Sequence, residues 1–72
     1  MDRITCEIKE HIGVIDQRNG WTKELNVVAW GGGVPKYDIR EWNEDHTKMS
    51  KGATLTEEQA CALYKLLERR FK

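Results

Sequence analysis

The dipeptide Asn19-Gly20 separates two runs that both alternate between apolar and polar residues, which confines the first half of the chain to a β-hairpin. Asn and Gly tolerate the positive φ that a tight two-residue turn requires at both central positions. Before the turn, "ITCEIKEHIGVID" (4–16) sets Ile4, Cys6, Ile8, Ile12 and Val14 on one face and Thr5, Glu7, Lys9 and His11 on the other. That is the period of a half-buried strand. A straight strand of this length would run about 43 Å, too long for so small a domain. A bend or bulge is therefore expected near residues 10–13, where Glu10 and Gly13 interrupt the two rows. After the turn, a second strand from Trp21 to Trp30 places Trp21, Lys23, Leu25, Val27 and Ala29 toward a core. Thr22, Glu24, Asn26, Val28 and Trp30 take the opposite, more polar face.

"GGGV" is a flexible connection, and Pro35 is tolerated at a strand's first position. The third strand, "KYDIREW", points Tyr37 and Ile39 one way and Lys36, Asp38, Arg40 and Trp42 the other. "NEDHTKMSKG" reads as a polar loop, with Asp45-His46 as a loop cap and Met49 packing against a C-terminal helix, and "ATL" as a short fourth strand. The period then changes. Thr56 and Gln59 form a capping box, Glu57 and Glu58 sit in the positive first turn, and Ala60, Leu63, Tyr64, Leu67 and Phe71 repeat at helical spacing. Cys61 and Leu66 widen that stripe beyond what one small sheet can cover. The order is β-β-β-β-α in one α+β domain spanning 1–72.

Twelve basic and twelve acidic residues leave no net charge, which argues against holding nucleic acid by bulk charge but leaves room for a locally basic face. Cys6 and Cys61 lack CxxC spacing; one disulfide is arithmetically possible, but the absence of an apolar leader favours reduced thiols and a cytoplasmic protein. No apolar run approaches the roughly 18 residues a membrane span needs. No set of ligands at metal spacing suggests a zinc site, and no nucleophile with base and orienting partner suggests an enzyme. A core this small contributes only about 3–5 kcal/mol, so a partner surface is expected.

In that order, "ELNVVAW…PKYDIREWNEDHTKMSKGATLTEEQ" resembles the single-stranded-DNA-binding domain of the transcriptional positive cofactor four family. "DIREW" and the "KG-x-TL-x-x-E" step into the helix carry most of the likeness. "W-x-K-E-L-N" and "DH-x-KM" bring it nearest the small bacterial YdbC-type branch, and the similarity runs from about Ile4 to Leu67. The resemblance implies a strongly curved four-stranded antiparallel sheet followed by one helix, and a homodimer joined through helices and last strands. Here Leu55, Leu63, Leu66, Leu67 and Phe71 would form that interface. It implies channels for single-stranded DNA with little sequence preference and a place in transcription regulation, replication, repair or recombination. The eukaryotic members carry a regulatory tail before this domain, whereas this chain starts at the first strand, so phosphorylation control is not expected to carry over.

Sequence-independent binding of single strands uses cations spaced along phosphates and aromatic faces on which bases stack. Arg40 matches the arginine of the family's core, Trp42 the aromatic after it, Trp30 an aromatic near the hairpin tip, and Lys51 the lysine of the "KG" step. Lys36 shares the phase of Arg40 and Trp42, Lys48 lies in the same basic loop, and Arg18 and Lys23 flank the first hairpin. Asn26 is a weaker candidate for hydrogen bonding to a base or phosphate. Most of the acids Glu24, Asp38, Glu41, Glu44 and Asp45 are expected to point away or to orient a neighbouring Arg or Lys. Trp21 and Tyr37 read as core. An RNA strand suits the same chemistry, and the alternative is a protein-interaction module using the same curved sheet. No cofactor is expected.

Overall fold

A computed structural model describes residues 6–72; the expected strand start at Ile4 lies outside them. The strands are β1 (Cys6–Arg18), β2 (Trp21–Trp30), β3 (Lys36–Asn43) and β4 (Ala53–Leu55), followed by helix α1 (Glu57–Phe71). They form one open antiparallel sheet in the order β1-β2-β3-β4. Asn19 and Gly20 have φ of 51° and 81°, the pair of positive values that a type I′ hairpin needs.

β1 is bulged three times, with shifts in its pairing to β2 between Ile8 and Glu10, His11 and Gly13, and Val14 and Asp16. Each bulge adds a residue to one strand, bends it and increases its twist. The expected irregularity at 10–13 is present, but repetition changes the faces. Residues directly opposite on paired strands share a face, so Ile8, His11, Val14 and Gln17 join Val28, Asn26, Glu24 and Thr22. Ile8 and Val14 therefore lie on the face of Glu24 and Asn26, opposite to their expected side, while His11 stands on the polar side where alternation puts it. A period of two misplaces the two apolar residues because the bulges convert the strand's rhythm locally to three.

The polar face is the buried one. Glu24, Asn26 and Asp38 are buried together with Val28 and Trp42, while on the other face Ala29 is buried but Leu25, Val27 and Ile39 are only half-buried. No described helix covers the polar face: α1 touches β3 and β4 and lines a cleft with Leu25, Tyr37 and Ile39 of the opposite face. Burial without a covering layer comes from the bend of the sheet and from large side chains lying over their neighbours. The expectation that the Leu25 row forms the enclosed core is corrected accordingly.

The loop after β3 folds back along it. Trp42 pairs with Met49, and the Ser50 N–H donates to the Glu41 carbonyl at 3.0 Å. Met49 thus packs beside β3 and Arg40 rather than against the helix. Gly52 comes next, so close to β3 that a Cβ would collide with the Ile39 carbonyl oxygen and the Arg40 Cβ. At α1 the capping box forms as expected: Gln59 N–H donates to Thr56 Oγ1 at 3.1 Å, and Thr56 N–H to Gln59 Oε1 at 3.0 Å.

No residue of α1 is buried. Leu67 is 47 % and Phe71 81 % exposed. The Cα radius of gyration, 13.2 Å, exceeds the about 11 Å of a compact chain this long.

Candidate nucleic-acid interface

Two indoles lie on the polar face, and each is capped by a planar, nitrogen-rich group tethered to a buried carboxylate. Over Trp30 lies Arg40, its guanidinium carbon 4.7 Å from the ring centroid. Asp38, fully buried, holds that guanidinium by two bonds, Nε to Oδ2 at 2.6 Å and Nη2 to Oδ1 at 2.8 Å. Arg40 Nη1 donates to the Ser50 carbonyl at 3.2 Å, and Thr54 Oγ1 donates to Asp38 Oδ1 at 3.1 Å. The guanidinium is therefore fixed in plane, with 12 % of the side chain exposed.

Over Trp42 lies His46, with ring centroids 5.3 Å apart and planes inclined by 30°. Its Nε2 sits 2.9 Å from Glu24 Oε2 and 3.2 Å from Oε1. Glu24 is buried. Thr22 Oγ1 donates to its Oε2 at 2.5 Å, Asn26 Nδ2 donates to its Oε1 at 3.1 Å, and His11 Nδ1 lies 3.5 Å from Oε1. Burial alone raises a carboxyl's pKa. Here the hydrogen bonds from Thr22, Asn26 and His46, with the charge of a protonated His46, outweigh it and hold Glu24 below its ordinary value.

Two expectations change on this geometry. Trp42, 3 % exposed, lies beneath His46 instead of offering an open ring. Asn26 is fully enclosed, its Oδ1 2.8 Å from His11 Nδ1 and its amide nitrogen committed to Glu24, so it has no free group for a ligand. Both indole N–H groups, of Trp30 and Trp42, are buried without an acceptor among the described residues, each at a cost of about 1–3 kcal/mol.

The cations divide. Lys36 stands exposed at the start of β3, opposite Val28 and in phase with Arg40. Lys48 is exposed in the loop, where its N–H donates to Asn43 Oδ1 at 2.9 Å. Lys51 and Lys23 meet with Ser50 and Gly52 around a shallow hollow of about 390 Å³. By register Lys23 pairs with Glu41 and belongs to the sheet face opposite Arg40. Arg18 likewise falls out of phase, opposite Trp21, and its guanidinium turns to Asp16 at 3.1 Å. Of the acids, Asp38 orients Arg40, as expected; Glu24 is buried and holds His46 rather than an arginine or lysine, and Asp45 accepts from the hydroxyl of Thr47 at 2.7 Å. His46 was not legible as part of this face, because it lies in a loop without periodicity; alternation puts His11 on the polar side of β1 but gives no sign of its contacts with Asn26 and Glu24.

The apolar cleft on the opposite face holds about 670 Å³ and includes Ile15, Leu25, Ile39, Leu55, Leu63 and Leu67 in its lining. Leu66 lies outside it, on the helix flank beside Ala62 and Arg69. Cys6 and Cys61 are both free. No described helix is long and apolar enough to cross a membrane.

An open four-stranded antiparallel sheet with one C-terminal helix, carrying capped indoles and cations on one face, defines a class of small sheet-and-helix domains. Residues 18–66 match the profile of the family described as Transcriptional Coactivator p15 (PC4), and the chain belongs to that family. The family is known for single-stranded DNA binding and coactivator roles. A protein of Treponema pallidum (strain Nichols), described as uncharacterized, is 51 % identical over 49 residues, which span 68 % of this chain and 58 % of that protein. This chain thus matches less than two thirds of that relative's length.

Proposed function

We propose that this protein binds single-stranded DNA as a homodimer, without catalysis and largely without sequence readout. The observation that carries this reading is the pair of capped indoles on one bent sheet face. Guanidinium planes and aromatic rings stack on any base, which gives affinity without specificity. Arg40 over Trp30 supplies one such surface. Lys36 stands on the face in phase with Arg40, and Lys48 and Lys51 stand exposed on the loop that returns along β3; all three take phosphates. Arg18 and Lys23, on the reverse side, extend a path only where the strand wraps an edge.

The homodimer rests on the opposite face. The apolar cleft and the exposed helix ridge belong to the same chain, so two copies can exchange ridge for cleft through a two-fold axis. An antiparallel pairing of the helices also sets the acidic first turn, Glu57 and Glu58, against the basic last turn, Arg69 and Arg70. Such a dimer covers Leu55, Leu63, Leu67 and Phe71 and brings two polar faces into one assembly.

The test is fluorescence anisotropy of a labelled oligo-dT of about twenty nucleotides at low and moderate salt, with a duplex of equal length and an oligo-U control. Tight, salt-sensitive binding of the single strand with poor binding of duplex supports the reading. No binding of oligo-dT at low salt removes it and leaves the polar face to a protein partner, while equal or tighter binding of oligo-U makes RNA the ligand.

A further inference from the structure

His46 has a φ of 58°, a left-handed conformation that few non-glycine residues adopt without local support. The loop supplies it. His46 N–H donates to the Asn43 carbonyl at 3.1 Å, Asn43 Nδ2 to Thr47 Oγ1 at 3.0 Å, and Thr47 Oγ1 to Asp45 Oδ1 at 2.7 Å. The backbone so held delivers one imidazole to one place. Its edge meets the buried Glu24 carboxylate, one ring face lies on Trp42, and 40 % of the side chain remains exposed.

Resting on the single-strand reading above, we infer that His46 is the ring on which a nucleobase stacks at the second indole, with Trp42 as the layer beneath it and Glu24 as its orienting group. His46 stands to Trp42 and Glu24 as Arg40 stands to Trp30 and Asp38. A base laid on the outer imidazole face makes a three-layer stack of base, imidazole and indole. Trp42, being enclosed, acts through His46 and is a positioning residue.

The experiment uses the full chain and oligo-dT at constant pH and low ionic strength, with anisotropy for affinity and the imidazole proton resonances as a direct probe. Wild type is expected to show ring-current shifts of the His46 Hδ2 and Hε1 signals on binding. His46→Ala is expected to lose between about fivefold and a hundredfold in affinity. His46→Phe keeps a ring for the base to stack on and retains most of the affinity. Tight binding with unmoved His46 signals, or a His46→Ala affinity equal to wild type, overturns the inference and leaves the single-strand reading standing. A wild type that binds no oligo-dT overturns both. Should His46→Ala fail to fold, the wild-type resonances decide.

Discussion

The guanidinium of Arg40 lies 4.7 Å above the ring of Trp30, locked there by the two bonds to Asp38. Arg40 therefore serves stability and recognition together. Arg40→Ala removes the cap and leaves a buried, unpaired carboxylate, so it should cost about 3–5 kcal/mol of stability. Arg40→Ala with Asp38→Asn should recover part of that loss without recovering single-strand affinity. Denaturant melts and oligo-dT titrations on both variants check the separation; affinity restored by the double change would show that only the fold had been measured.

Glu24 gives the fold an acid limit. Its folded pKa lies below the ordinary 4.5, so its contribution is present above the unfolded value and lost as pH falls through the folded one. Stability should hold from about pH 7 to 5 and then decline below about 4.5. Glu24→Gln should be less stable at pH 7 and show a shallower decline between about pH 5 and 3. Urea midpoints across that range test it, and parallel curves for the two proteins would assign the acid limb elsewhere.

Much of this was legible because it depends on local chemistry. The Asn19-Gly20 turn, the span of β2 and the Thr56–Gln59 capping box derive from residue type and spacing alone, and the structure has them where those signals lie. The faces of Ile8 and Val14 were not legible, since three bulges shift the phase of β1 without any mark in composition. Nor was the burial of Trp42. Alternation gives its face correctly, but not that a loop residue folds back over it. The polar residues of that face looked exposed because a burial pattern assumes charges face water. Here Asp38 and Glu24 are enclosed by the groups they orient.

Gly52 is the closest approach of the returning chain to β3. Gly52→Ala drives a methyl into the Ile39 carbonyl oxygen and the Arg40 Cβ, both anchored in the sheet. The expected loss is about 1–3 kcal/mol, with Arg40 displaced from Trp30. A lowered thermal midpoint together with altered tryptophan fluorescence would report both effects, whereas an unchanged midpoint would mean the loop moves away freely.

The helix ridge provides the test of assembly. Leu67 lines the apolar cleft and is half exposed in the single chain. Leu67→Glu should convert a dimer into a monomer by light scattering and abolish any concentration dependence of the wild-type melting temperature. A wild type of monomeric mass at high micromolar concentration would rule out the proposed homodimer.

Salt separates the two readings of the polar face. A strand held by about four phosphate contacts gives a slope of roughly −2.8 in log K against log salt, so affinity for oligo-dT should fall about fiftyfold between 50 and 200 mM. Lys36, Lys48 and Lys51 are exposed cations beside that face, with no carboxylate within ion-pair distance among the described residues. Each, changed to Gln, should reduce the slope by about 0.7 while leaving the protein's melting temperature within about 2 °C, because surface lysines of this kind contribute little to folding. Arg18→Gln, on the reverse side and tied to Asp16, should leave the slope unchanged. A peptide docked by apolar contact would show a nearly flat salt response with a negative heat-capacity change instead. Binding of oligo-dT that ignores salt would therefore remove the phosphate contacts from the mechanism and leave stacking on the capped indoles as its sole source of affinity.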